Sequence, residues 1–246
     1  MTSRPRTLIV VFAFNEHDKL RRVVQRLLEA RAALLPGCEI ALMDDGSTDG
    51  VPAQLAAAHG LALVRHDENR GVGHAIRSVV QYCRTHAFEV TAWVAGNDKD
   101  EPNELGRLLA PIFDDRADLV QGSRYLPGGS FGNMPLYRQV ATRFLHPPLM
   151  RLACGFPFTD STNGFRAMRV RLFDDPRIDI GQEWLNHYEM EPYILFKAVR
   201  LGYRVVEVPV TKVYPPAADG YTKMRPFSGW WSILRPIVFL GLGMRG

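Results

Sequence analysis

The stretch Ile40-Ala41-Leu42-Met43-Asp44-Asp45-Gly46-Ser47-Thr48-Asp49-Gly50 decides how this chain is read. An apolar run suited to a buried strand stops at two adjacent carboxylates, and a loop of Gly, Ser, Thr and Asp follows, which is turn chemistry. Neighbouring carboxylates at a buried strand end repel each other and call for a compensating group. In open α/β sheets the crevice outside the carboxyl ends of the strands is where ligands, commonly nucleotides, sit. Two readings follow. Either this is a nucleotide-binding strand end, or it is an ordinary strand-to-helix turn in which Thr48 or Asp49 caps the next helix.

Upstream, Thr7 to Phe14 is a continuous apolar, β-branched run, the pattern of a central parallel strand, and Asn15-Glu16 close it. Leu20, Val23, Val24, Leu27 and Leu28 then recur at helical spacing until Pro36-Gly37 break the helix. Downstream, Val51 to His59 reads as a short helix and Leu61 to Val64 as a third strand. His66 to Ala75 leads into a helix that runs through Ala87, with Gly71 and Gly73 suited to close backbone approach to a ligand at its start. Val90 to Ala95 is a fourth strand. This alternation predicts an α/β fold with a right-handed, doubly wound, mostly parallel sheet.

The fourth strand runs into Gly96-Asn97-Asp98-Lys99-Asp100-Glu101-Pro102-Asn103-Glu104. Carboxylates alternating after a strand can converge on a hard divalent cation; equally, this is a polar loop before a helix that Pro102 starts. Leu119 to Tyr125 is a fifth strand that delivers Arg124 to the same sheet edge, followed by a mobile Pro127-Gly128-Gly129-Ser130 loop. Tyr137 to Ala153 is helical with an interruption at Pro147-Pro148. Phe158 to Arg166 sets polar groups and Arg166 at a loop-to-strand junction.

At 246 residues, 46% hydrophobic and 23% charged, the chain suits one large globular domain. The net charge is +4, and the basic residues are mostly Arg, which suits bidentate phosphate recognition. No Lys/Arg block or aromatic-basic interleaving points to nucleic acid. Cys38, Cys83 and Cys154, odd in number and widely spaced, suggest reduced buried thiols and a cytoplasmic protein. No signal peptide is evident, and Ile237 to Met244 is too short for a bilayer span. Residues 226–246 pair two tryptophans with flanking Arg and a short apolar run; they suit an interfacial membrane segment, and equally a core-packing tail or a contact in a homo-oligomer.

Several of these stretches together resemble family 2 glycosyltransferases, most of all their polyprenyl-phosphate branch typified by dolichol-phosphate mannose synthase. Val11 to Glu16 resembles the first-strand signature, with Phe12-Ala13 in place of the usual apolar-Pro-Ala wording. Asp44 to Gly50 matches the nucleotide-binding loop, and Asn69 to Ala75 the Asn-x-Gly-x-Gly-x-Ala stretch, with Val72 where a basic residue is common. Gly122-Ser123-Arg124-Tyr125, Asp160 with Gly164-Phe165-Arg166, Glu191, Val205 to Val210 and Tyr221 to Met224 match further positions.

The resemblance implies a GT-A fold, with a nucleotide-binding half over about 1–115, an acceptor half over about 116–225 and an appended segment at 226–246. It implies inverting transfer from a nucleoside-diphosphate sugar to a polyprenyl phosphate at the cytoplasmic membrane face; the alternatives are a transferase of the same fold acting on a soluble hydroxyl acceptor, or a nucleotide-sugar binder with impaired catalysis. Ala13, Asn15, Glu16, Asp44, Asp45, Gly71, Gly73 and Asn97 would hold the donor. Ser123, Arg124, Arg138, Arg166 and Lys223 would hold the acceptor. Asp98, Arg124, Arg138 and Asp160 are the implied catalytic residues, with a Mg²⁺ or Mn²⁺ ion on Asp98 and Asp100. The family's metal motif, Asp-x-Asp with a Gln two residues on, is altered here. One register puts Gly96, Asp98 and Asp100 at those positions; a register one residue off puts Ala95 and Asn97 at the two carboxylates. The first ligand is missing in both.

Overall fold

The computed structural model describes residues 4–215 and 228–244. Its first half runs β1 (Thr7–Ala13), α1 (Asp18–Leu34), β2 (Glu39–Asp44), α2 (Val51–His59), β3 (Ala62–Arg65), α3 (Val72–Thr85) and β4 (Val90–Ala95). These strands pair in parallel in the order β3-β2-β1-β4. β1 is apolar without alternation because both its faces are covered. Leu8 and Val10 pack with Ile76 and Val79 of α3, while Ile9 and Val11 pack with Leu20, Val23 and Leu27 of α1. Each full burial of such a side chain contributes about 1.5–3 kcal/mol.

A 3₁₀ turn at Pro102–Glu104, rather than an α-helix, receives Pro102 and leads into α4 (Leu105–Phe113). The second half comprises β5 (Leu119–Ser123), β6 (Ser130–Gly132), α5 (Leu136–Val140), α6 (His146–Cys154), β7 (Arg166–Arg169), α7 (Met190–Arg200), β8 (Val205–Pro209), β9 (Thr211–Val213) and α8 (Ser228–Gly241). β7 inserts antiparallel between β4 and β5, and β8 continues parallel to β5. The sheet order is therefore β3-β2-β1-β4-β7-β5-β8, with β6 and β9 as a separate parallel pair.

The expected break at Pro147-Pro148 lies elsewhere. A π-helical turn over Ala141–Leu145 interrupts the helix, and the prolines sit in the first turn of α6, where a missing N–H is harmless. The C-terminal segment forms α8, which packs on α6 and α7 and buries Ile237 and Leu240. All three cysteines are buried and free.

Candidate active site

The adjacent carboxylates of Asp44 and Asp45 avoid each other by taking separate partners. Asp44 accepts the Ser47 N–H at 2.8 Å and lies 3.4 Å from the Arg65 guanidinium. Asp45 accepts from His66 Nδ1 (2.7 Å), Asn69 Nδ2 (3.0 Å) and the N–H groups of Arg70 (3.0 Å) and Gly71 (2.9 Å). Four donors on two oxygens saturate that carboxylate. Asp45 thus anchors the 66–71 loop rather than offering a vacant acceptor to a base. Asn15 (φ 48°) locks the end of β1 to the 45–50 loop after β2: its Oδ1 accepts the Thr48 N–H at 2.8 Å, and its own N–H donates to Ser47 Oγ at 3.0 Å. Asp49 accepts the Val51 N–H at 3.1 Å, so the stretch also starts α2 as an ordinary turn would.

The glycines at the start of α3 have a different use from the one expected. A Cβ on Gly73 would collide with the Leu185 carbonyl, and one on Gly71 (φ 93°) with Asn186 and His187. Both permit close approach of the 185–187 backbone, sealed by the Gly73 N–H to Asn186 O bond of 3.0 Å. Gly71 still borders the cleft; Gly73 does not.

A cleft of about 1140 Å³ opens at the carboxyl ends of β1, β2 and β4. Ala13, Glu16, Asp45 and Asn69 line it from the first half, and Arg138, Arg166, Tyr188 and Tyr214 from the second. From the end of β4 onward, Ala95, Asn97 and Lys99 line the cleft, whereas Gly96, Asp98 and Asp100 do not. Asp98 adopts φ 60° and meets Arg22 Nε at 2.6 Å and Arg26 Nη2 at 2.5 Å, both on α1. Asp100 accepts the Ala95 N–H at 3.1 Å and pairs with the Lys212 ammonium.

The register with Ala95 and Asn97 at the carboxylate positions is therefore the one whose residues face the cleft. Asn97 Oδ1 is buried without a partner, a single neutral oxygen. Among the described residues no group of three or more His, Cys, Asp or Glu is placed to hold a metal ion. Mg²⁺ or Mn²⁺ beside substrate phosphates needs one or two protein carboxylates, and the residues after β4 that face the cleft supply none, so they do not fit the ion. What faces the cleft there is Lys99, its Nζ 4.7 Å from the Tyr214 ring centroid. Burial, then the charges of Lys212 and Arg138, push its ammonium down to about 7.

In the second half, Arg124 and Asp160 form a buried fork with Nε–Oδ2 at 2.6 Å and Nη2–Oδ1 at 2.8 Å. Burial opposes both charges, yet each partner overrides it, so Arg124 is raised and Asp160 lowered from their ordinary values. The Arg124 fork is thus committed to Asp160 rather than offered to phosphate; Nη2 also donates to Thr162 Oγ1 at 2.8 Å, and Nη1 lies 3.4 Å from Tyr214 Oη. Arg166, wholly buried, donates to the Asn163 carbonyl at 2.7 Å and lies 3.3 Å from Glu191. Ser123 is buried against Thr159 Oγ1 at 2.6 Å and does not reach the cleft. Arg138 does reach it, half-buried, its guanidinium 5.7 Å from the Tyr214 ring centroid. Lys223 and the Tyr221–Met224 stretch lie outside the described residues.

Lys212, Tyr214 and Tyr188 went unrecognised as cleft residues in the sequence. No local signal marks them. Lys212 arrives through a bridge between β9 and Asp100, 112 positions away in the chain.

A model of the family described as Glycosyl transferase family 2 matches residues 8–175. The polyprenol monophosphomannose synthase of Mycolicibacterium smegmatis is 31% identical over 217 residues, covering 85% of this chain and 79% of that protein. The undecaprenyl-phosphate mannosyltransferase of Micrococcus luteus is 30% identical over 215 residues, 85% of this chain and 84% of that protein. Among solved structures, glucosyl-3-phosphoglycerate synthase of Mycobacterium tuberculosis, in complex with Mn²⁺, UDP and glucosyl-3-phosphoglycerate, superposes with a TM-score of 0.68 at 16% identity, covering 97% of this chain and 79% of that one. Mannosyl-3-phosphoglycerate synthase of Rubrobacter xylanophilus gives 0.68 at 16% identity, over 98% and 76%. The sheet order, the cleft at its strand ends and these matches agree: the chain has the GT-A α/β fold and belongs to glycosyltransferase family 2.

Proposed function

We propose that this glycosyltransferase moves a sugar, with inversion, from a nucleoside-diphosphate sugar to a polyprenyl phosphate. The observation that carries the reading is that two relatives at 30–31% identity, each aligned over 85% of this chain, are both named for mannosyl transfer to such lipids. The chemistry of the cleft supports it. A phosphomonoester with its second pKa near 6 is largely ionised at neutral pH and needs no general base. Its oxygen attacks the anomeric carbon, the bond from that carbon to the donor diphosphate breaks, and the electron pair leaves with the diphosphate. Asp160, a carboxylate that could serve as base for a hydroxyl acceptor, has both oxygens held by Arg124.

The surface beside the cleft suits a lipid. Leu136, Phe144 and Leu152 on the α5–α6 face are 73%, 66% and 85% exposed, and Arg143 and Arg151 stand among them. An apolar face flanked by Arg suits the interface of an anionic membrane. No helix among the described residues is long and apolar enough to cross a membrane. The protein on this reading binds the membrane peripherally.

Arg138 reaches the cleft from α5, beside this surface, and is the group we assign to grip the lipid phosphate. Arg138→Ala is expected to abolish transfer to polyprenyl phosphate while nucleotide binding, followed by calorimetry, persists. Arg138→Lys recovers little, because an ammonium forms no bidentate fork. Normal transfer by Arg138→Ala would remove this residue from acceptor binding.

A further inference from the structure

We infer that side-chain cations, Lys99 foremost, do at the donor diphosphate what a divalent cation does elsewhere, so that binding and transfer proceed without metal. The inference rests on the glycosyltransferase reading of this cleft and concerns how the leaving group is held.

The first observation is positional. The backbone after β4 points residues 95, 97 and 99 into the cleft, and these are Ala, Asn and Lys. A methyl, one amide and an ammonium stand where cation ligands would have to stand. An ammonium repels a divalent ion at that place and attracts a diphosphate.

The second concerns the two carboxylates that remain in the loop. Asp98 is turned out by its left-handed backbone (φ 60°) and neutralised by two guanidiniums. To ligate an ion in the cleft it would have to leave both and change its backbone. Asp100, 2% exposed, is enclosed between the Ala95 N–H and the Lys212 ammonium. Protein cations already occupy both carboxylates.

The third is the arrangement of positive charge. Lys99 and Arg138 flank one aromatic ring, with Lys99 Nζ at 4.7 Å and Arg138 Cζ at 5.7 Å from the Tyr214 centroid. Lys212 stands behind, steadied by Asn163 Oδ1 at 3.0 Å as well as by Asp100. Tyr214 is 3% exposed, so the ring both cations approach is held in place by its surroundings. Cations held rigidly in a low-dielectric cleft stabilise a departing anion with little reorganisation. When the anomeric C–O bond breaks, the electron pair stays on the diphosphate oxygen and the Lys99 ammonium meets the new charge. No base, oxidant or reductant is consumed.

The test is calorimetric titration of UDP and of GDP into the full chain, in EDTA and in Mn²⁺, for wild type, Lys99→Met and Lys99→Arg. Wild type is expected to bind one nucleotide with affinities that agree within about twofold in the two buffers. Lys99→Met should lose about tenfold or more in both, and Lys99→Arg should stay near wild type. A tenfold fall in wild-type affinity on chelation, reversed by Mn²⁺, overturns the inference and leaves the glycosyltransferase reading intact. Wild-type affinity in Lys99→Met also overturns it. Failure of UDP and GDP to bind in either buffer overturns the donor reading itself, and this inference with it. The chelation arm uses wild type alone, so it decides the matter even if Lys99→Met fails to fold.

Discussion

Asp160 shows how a charge is kept in this core. It is completely buried, and its two oxygens accept two guanidinium N–H groups and the backbone N–H of Arg124. Removing one partner strands the other charge in a low-dielectric interior, which costs about 3–5 kcal/mol. Asp160→Ala is therefore expected to lower the urea midpoint steeply, and Asp160→Ala with Arg124→Met to recover a good part of the loss. A variant as stable as wild type would contradict the buried-pair account. What the sequence shows at this scale is which residues carry charge near the sheet edge: Asp45 and Arg124 follow strand ends, Arg138 lies on α5 and Asp160 in a loop, and all border or support the cleft. What it hides is who satisfies them. Nothing near Asp45 signals that four donors from residues 66–71 saturate it, and nothing near Asp98 that Arg22 and Arg26 draw it outward. Those partners are set by packing between elements, not by spacing along one.

Among the elements, the strands and helices of the first half are legible because their signals are local. Unbroken apolar runs mark β1, β2 and β4, and the 3.6-residue repeat marks α1. The strand start at Arg166 is legible as a loop-to-strand junction, but the antiparallel insertion of β7 between β4 and β5 is not, since it is a long-range pairing that leaves no periodicity of its own. The π turn at Ala141–Leu145 escapes too, although the prolines after it advertise a break nearby. It splits α5 from α6, and the two carry the exposed apolar face. Phe144→Glu with Leu152→Glu is expected to cut co-sedimentation with anionic phospholipid vesicles by about tenfold, while leaving the melting temperature within a few degrees, because both side chains are largely solvent-exposed. Undiminished vesicle binding would show that the membrane contact lies elsewhere.

For the whole molecule, stability should fall as pH falls from neutral, and the sign follows from the buried groups. Burial pushes His146 down to about 4, where it sits neutral between Ser161 Oγ and the Ile233 carbonyl. Below about 6.5 the unfolded chain takes a proton that folded His146 refuses until about 4, so up to about 3 kcal/mol is lost across that window. Asp118 is opposed by burial yet held well below the carboxylate range by Arg204 and Arg171, so its contribution is lost at still lower pH. Urea midpoints between pH 7 and 4.5 should decline, and His146→Gln should flatten the slope whatever it does to stability at pH 7. A slope identical to wild type would remove His146 as its source.

The cleft unites both halves of the chain: the first supplies Lys99 and the loop held by Asp45, the second supplies Arg138 and Tyr214, and α8 adds Trp231 and Arg235 to its wall. A site built this way is suited to join a nucleotide-linked sugar on one side to a phosphate-headed lipid on the other. The most direct test of that claim is transfer of radiolabelled sugar from GDP- and UDP-linked hexoses into polyprenyl phosphate, read by partition into organic solvent. The account predicts label in the organic phase with one of these donors, at neutral pH and dependent on Arg138. Label that stays wholly in water, transferred only to soluble alcohols, would contradict it.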